Sequence, residues 1–242
     1  MRIEILTLFP ETVETYLNES VIGRGKKNGA VEINCTDIRD YSSNKHRKVD
    51  DSPFGGGYGM VMTCQPLVDC CRAAVSKLEG TVRRIYMSPQ GKVFNQEKAK
   101  ELLKYDNLVL ICGHYEGVDE RAITLCADEE LSVGDYVLTG GELAALIVTD
   151  CVSRLLPGVL RAPECSEDES LENNLLEYPQ YTRPRVFEGM EVPDILLSGH
   201  EANIKKWRYE QSIERTKQKR PDLYDKFINS ISELPTKNKI NK

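Results

Sequence analysis

The sequence predicts an α/β protein, with a mostly parallel sheet covered by helices and a small all-helical domain at the C-terminal end. Three observations carry this. Short Ile-, Val- and Leu-rich runs alternate with segments of 3.6-residue apolar spacing from the N-terminus to about residue 160, the pattern of repeated β–α units. That alternation stops at an acidic stretch punctuated by proline. Beyond the stretch only helical spacing returns.

Taken in order, the strand candidates are Arg2–Leu8, Val31–Asp37, Val82–Met87, Leu108–Cys112 and Tyr136–Leu138, rich in the residues that suit a pleated, buried surface. Pro10 suits a first helical turn and Gly29 suits the close of the helix that begins there. Gln65–Leu78 and Gln96–Leu103 have helical apolar spacing. Gly141–Leu156 is the clearest helix, with Leu143, Leu146, Ile147, Cys151 and Leu155 on one face. On its surface Asp150 and Arg154 stand four apart, a spacing at which opposite charges pair. From Pro157 to Pro184 no core periodicity survives, so the segment reads as a linker. Helices resume from Asp194 to about Lys219 and again after Pro221. The resulting domains are 1–160, a linker over 161–184, and 185–242.

Composition narrows the function. No apolar run approaches the roughly 20 residues that cross a bilayer, and the N-terminus MRIEILTLFPE lacks the basic and apolar blocks of a secretory signal. The eight cysteines form no C-x-x-C pair and no zinc-type cluster with histidine; several lie in apolar runs. They read as reduced core thiols of a cytoplasmic protein. The net charge of −6 opposes binding to a polyanion until it is divided along the chain. Residues 201–242 carry 11 Lys/Arg against 6 Asp/Glu, or +5, and residues 24–48 carry 7 against 3, or +4. Between Glu164 and Glu177 stand six acids and no base. Basic stretches around an acidic one fit a protein that meets nucleic acid and keeps carboxylates for other work; solvated helix faces would give the same counts.

Three places carry candidate chemistry. CGHYEGVDERA (Cys112–Ala122), LSVGDYVLTGGELAAL (Leu131–Leu146) and MSPQGK (Met87–Lys92) each follow an apolar run and contain glycine. Glycine at a strand end permits a tight turn and lets a ligand approach the main chain, so the three predict one nucleotide-type pocket at the carboxyl edge of a parallel sheet. No G-x-G-x-x-G opens a helix directly after a strand and no G-x-x-x-x-G-K-[ST] is present, which excludes the ordinary dinucleotide fold and the P-loop. SPFGGGYGMVM (Ser52–Met62), after the basic NKHRKVDD, is a glycine-rich loop suited to phosphate or nucleic-acid backbone contact. The acidic linker ends in YPQYTRP (Tyr178–Pro184); its carboxylates serve either as a general base or as a solubilising loop.

With these segments in view, the chain resembles the bacterial tRNA (guanine-N1)-methyltransferase family of the SPOUT class. The resemblance runs from LTLFPE through DDSPFGGGYGMVM, MSPQGKVFNQEKAKEL, ICGHYEGVDERA, SVGDYVLTGGELA, VSRLLPGVL and YPQYTRP to LSGHEANIKKWR, nearly the whole length. It implies a deep trefoil knot in the sheet, an exception to the general avoidance of knots. It implies methylation of guanosine at tRNA position 37, S-adenosylmethionine as methyl donor, Mg²⁺, and a homodimer whose active sites are shared between subunits. Residues matching the family's cofactor pocket are Tyr86, Met87, Ser88 and Pro89; Gly113, Tyr115, Glu116 and Gly117; and Ser132, Val133, Gly134, Tyr136, Leu138, Gly140 and Gly141. Tyr181, Arg183, His200, Lys205, Lys206 and Arg208 are expected to meet tRNA.

Methylation at guanine N1 needs a base, because the ring N–H must lose its proton before the lone pair can react. Negative charge then grows toward O6, where a guanidinium stabilises it. Arg154, in VSR, matches the family's arginine. The base position departs from the pattern: where family members usually carry Asp-Ser-Phe, this chain reads Glu169-Ser170-Leu171, one methylene longer. Glu169 is the first candidate and Asp168 the second; the family's proline after G-G-E-L is Ala144 here. A methyltransferase of the same class acting on another RNA site, and an RNA-binding homologue with weakened catalysis, stay open as alternatives at this point.

Overall fold

The structure, a computed structural model, describes residues 1–161 and 170–232. The chain forms two compact units, Met1–Ala162 and Pro163–Lys242.

In the first unit, strands β1 (Arg2–Thr7), β2 (Glu32–Asp37), β5 (Val82–Val93), β6 (Asn107–Cys112) and β7 (Glu129–Ser132) form one sheet in the order β2-β1-β6-β5-β7. Every neighbouring pair is parallel. A separate two-stranded hairpin joins β3 (Asp50–Asp51) to β4 (Val61–Met62). The central strand β6, NLVLIC, is buried at all six positions, as a strand covered on both faces must be.

Alternation along the strands sorts their side chains between two cores. Ile3, Ile5, Ile85, Met87, Leu108, Leu110 and Cys112 point to one face. There they meet α1 (Pro10–Leu17), α2 (Ser20–Lys27), α4 (Gln96–Leu102) and α6 (Glu142–Ser153) through Val13, Leu17, Ile22, Ala99, Leu102 and Val148. Leu6, Tyr86, Val109 and Ile111 point to the other, against Leu67 and Cys70 of α3 (Cys64–Val75) and Ala122 of α5 (Glu120–Cys126). The buried Glu4 of β1 is satisfied by Arg2 Nε at 2.6 Å and Asn34 Nδ2 at 3.0 Å.

The second unit holds a two-stranded hairpin, β8 (Val186–Phe187) with β9 (Met190–Glu191), and helices α7 (Glu201–Lys219) and α8 (Pro221–Ser232). The hairpin corrects the expectation of an all-helical domain. Gly189 turns it with a φ of 78°, a conformation that glycine adopts at little cost.

Three sequence expectations are revised in the first unit. The helix expected from Pro10 to Gly29 is two helices, broken after Leu17 at Asn18 and Glu19, with Ser20 entering the second at a φ of 52°. Strand β5 does not end at Met87: its pairing to β7 slips between Met87 and Lys92, both opposite Leu131, so residues 88–91 bulge outward. Tyr136–Leu138 is not a strand, because its neighbours spend their backbone groups locally. Tyr136 N donates to Gly134 O at 2.9 Å and Ser132 Oγ donates to the same oxygen at 3.0 Å. The fifth strand is instead β7, directly before.

The seven described cysteines are all free thiols. Burial pushes Cys35 and Cys70 up to about 12, so these thiols stay protonated and unreactive near neutral pH.

Candidate functional site: a cleft at three strand ends

Because β5, β6 and β7 run parallel, their carboxyl ends open on the same edge of the sheet. The segments that follow them enclose an open cleft of about 200 Å³. All fifteen residues matched to the cofactor pocket, from Tyr86 to Gly141, line it. So do Gln90, His114, Leu131, Val137, Thr139 and Ala144. Gln90 escaped sequence reasoning although it sits inside a motif already singled out, MSPQGK; its place directly after Ser88 and Pro89 was the available signal.

The walls are set by main chain brought together where no side chain fits. Gly141 N donates to Gly113 O at 2.8 Å, joining the end of β6 to the start of α6. A Cβ on Gly141 would fall 2.8 Å from Cys112 Cα, and one on Gly113 would fall 2.7 Å from Tyr86 Oη. Gly141 caps α6 without a side-chain hydrogen bond. Burial pushes the Tyr86 phenol up to about 12, so it keeps its proton at the cleft. Nδ1 of His114, held edge-on to Phe9 and Tyr115 at ring distances of 5.0 and 5.2 Å, is buried and has no hydrogen-bond partner among the described residues.

The opposite rim is formed by residues 115–119, which are fastened to β4. Glu116 N donates to Met60 O at 3.0 Å, Met62 N to Gly117 O at 2.9 Å, and Asp119 N to Met62 O at 3.0 Å. Tyr115 sits at a φ of 61°, a strained value for a bulky residue and one concentrated at functional sites. The Arg121 guanidinium, hydrogen-bonded to Asp119 at 2.7 and 2.9 Å, holds that carboxyl well below the usual carboxylate range.

Arg154 lies elsewhere. It is the C-cap of α6 and lines a second cavity, of about 440 Å³, with Tyr16, Asp150 and Leu160. Asp150, in the same cavity, accepts a hydrogen bond from Tyr16 Oη at 2.9 Å. Asp168 and Glu169 fall outside the described residues. In the second unit, Tyr181, Arg183 and Arg208 line one cavity, of about 470 Å³, and Lys205 lies on α7 beside another that also includes Arg208. Arg208 stacks over the Tyr178 ring at 4.7 Å. Lys206 is exposed and 3.9 Å from Glu210, and His200 is the exposed N-cap of α7.

The profile of the family described as tRNA (Guanine-1)-methyltransferase TrmD matches residues 1–226 of this chain. A tRNA (guanine-N(1)-)-methyltransferase of Ruminiclostridium cellulolyticum is 59% identical over 229 residues, covering 95% of this chain and 98% of that protein. Proteins of the same name from Lachnospira eligens and Clostridium beijerinckii are 53% and 54% identical, covering 96% and 100% of this chain and 99% and 100% of theirs. With a family profile matched over residues 1–226 and identity above half along nearly the full length, the chain belongs to the tRNA (guanine-1)-methyltransferase family.

Proposed function

We propose that this protein transfers a methyl group from S-adenosylmethionine to N1 of guanosine at position 37 of tRNA. The observation that carries the reading is the cleft at the ends of β5, β6 and β7, walled by main chain and glycine at the positions matched to the family's cofactor pocket. A pocket made of backbone amides and carbonyls suits an adenine, whose edge offers both donors and acceptors. Ser132 to Leu138 would hold that ring, and Glu116 would lie toward the methionine part, where its carboxylate complements an ammonium. When bound, the cofactor supplies an electrophilic methyl on a sulfonium.

The protein's own part is to place guanine and manage a proton. Glu169 takes the N1 proton, with Asp168 as the second candidate, and Arg154 stabilises the charge that grows on O6. Alignment of N1 with the methyl supplies much of the rate, because a fixed geometry replaces a bimolecular encounter. Arg154 lines a cavity of its own and not the cleft, which supports a homodimer in which one subunit's arginine serves the other's cofactor. The exposed apolar wall of Tyr136, Val137 and Leu138 supports the same assembly. Family membership supports a trefoil knot in the sheet and a tRNA-binding role for the second unit, with Tyr181, Arg183, His200, Lys205, Lys206 and Arg208 meeting the nucleic acid. The seven described thiols, all free and four of them buried, support an enzyme of the reducing cytoplasm. Family membership also supports Mg²⁺, which typically takes only one or two protein carboxylates besides water and substrate; among the described residues no three His, Cys, Asp or Glu side chains form a metal cluster.

Methylation of tRNA transcripts carrying each base at position 37, with the modified atom mapped, tests the reading; transfer only to guanosine at N1 is expected, and transfer to ribose or another base overturns it. Glu169→Gln is expected to lower single-turnover transfer by about 10²–10⁴-fold, the range for a positioned general base, with cofactor affinity nearly unchanged. Unimpaired transfer by Glu169→Gln together with loss in Asp168→Asn would move the role to Asp168.

A further inference from the structure

We propose that Phe54 and Tyr58 form a stacking platform for unpaired tRNA bases next to the target guanosine. The inference rests on the tRNA-modifying reading above and adds to it a base-contacting surface on the first unit.

The two rings are the most exposed large hydrophobic side chains in the described chain, at 101% and 99% of their full accessibility. Both sit in the loop between β3 and β4, whose pairing Asp50↔Met62 and Asp51↔Val61 closes its base. That base is fastened to the cleft: Met60 and Met62 exchange main-chain hydrogen bonds with Glu116, Gly117 and Asp119. Gly59 lies so close to Glu116 that a Cβ there would fall 2.4 Å from Glu116 Cγ. The loop is therefore anchored beside the cleft at one end and projects from it at the other.

The tip is built to present the rings. Gly55 and Gly56 sit at φ of 86° and 79° with nothing within 4 Å of the place a Cβ would occupy. No packing contact among the described residues explains two aromatics there. A nucleobase does, because every base has a π-face and stacking is indifferent to its edge pattern. Charge favours the same occupant. Lys45, His46, Arg47 and Lys48, all exposed, lead into the hairpin. Arg47 is tied to Asp37 and Asp40, and Lys48 is 3.6 Å from Asp51 with both partners largely in water, a pairing that a phosphate can replace.

The test uses the full-length protein and tRNA transcripts carrying 2-aminopurine at the position before or after the target. Wild type is expected to quench the probe on binding; Phe54→Ala and Tyr58→Ala are expected to lose the quench and raise KM for tRNA by about 5- to 150-fold each, the range for one stacked base. Tyr58→Phe keeps the ring and is expected to behave as wild type. Cofactor affinity, by calorimetry, is expected to be unchanged in all variants. KM within twofold of wild type with the quench retained in both alanine variants overturns the proposal. So does dissociation of the wild-type oligomer in the Phe54→Ala/Tyr58→Ala variant, by sedimentation, which would assign the rings to a second copy. Failure of wild type to methylate guanosine, with a ring-dependent quench intact, would sink the functional reading and leave this surface standing.

Discussion

Two glycine-rich regions meet at the cleft, and glycine answers a different need in each. Around β6 and α6, glycine is present because there is no room: a Cβ on Gly141 would press on Cys112 Cα, and one on Gly91 would lie 2.4 Å from the carbonyl carbon of Glu130. At the tip of the β3–β4 loop there is only space, and glycine is present for its left-handed backbone. One region holds main chain against main chain to make a fixed wall; the other holds side chains away from the fold. A count of glycines in the sequence treats them alike. Their neighbours separate a rigid binding surface from a presenting one.

The comparison can be broken most sharply at Gly141. Gly141→Ala forces backbone apart where β6 meets α6, and overpacking of this kind costs about 1–3 kcal/mol. Urea denaturation should read that loss, and calorimetry should read a more than tenfold loss of cofactor affinity. Retained affinity would show that the wall gives way more easily than its contacts suggest.

A middle-sized effect is expected from acid. Burial pushes the carboxyls of Asp128 and Glu129 up, but hydrogen bonds from Arg84, and from Arg83 and Lys98, outweigh it and hold both below their usual values. Their contribution to stability is present above about pH 4, the ordinary carboxylate range, and is lost as pH falls through the lowered folded-state values. Since these pairs hold the edge strand β7, thermal melts between pH 6 and 3 should show wild type losing stability more steeply than the double variant Asp128→Asn/Glu129→Gln. Parallel curves would remove β7 from the account of the wall.

Gly56→Ala should have the smallest effect. Its backbone strain is about 1–2 kcal/mol and meets no steric neighbour, so cofactor affinity should not change. A large loss of cofactor binding would mean that the presenting loop also shapes the cleft.

Much of this was legible in the residues. The buried strands β1 and β6 announce themselves as apolar runs, and the pocket follows from glycines placed directly after such runs. Strand β7 was misplaced by a few residues because EELS carries two acids and YVL looks more strand-like. The acids make sense only in three dimensions: Glu129 faces Arg83 and Lys98 on an edge strand, where charge discourages further pairing. Gln90 was not marked because nothing in spacing says which way a side chain turns at a bulge. The position of Arg154 was equally hidden, since a sequence motif carries no information on which cavity receives it.

Helix α6 turns that last point into a length. Arg154 stands twelve positions after Glu142, which lies at the cleft end, a span of about 18 Å at 1.5 Å per residue. The helix is a ruler longer than any bond-making distance, so a lone chain carries both halves of the proposed chemistry and can close neither. In the proposed homodimer, two copies related by a twofold axis would close both at once. Specific activity should then depend on protein concentration, falling away on dilution below the dissociation constant of the pair, while cofactor binding to the cleft persists.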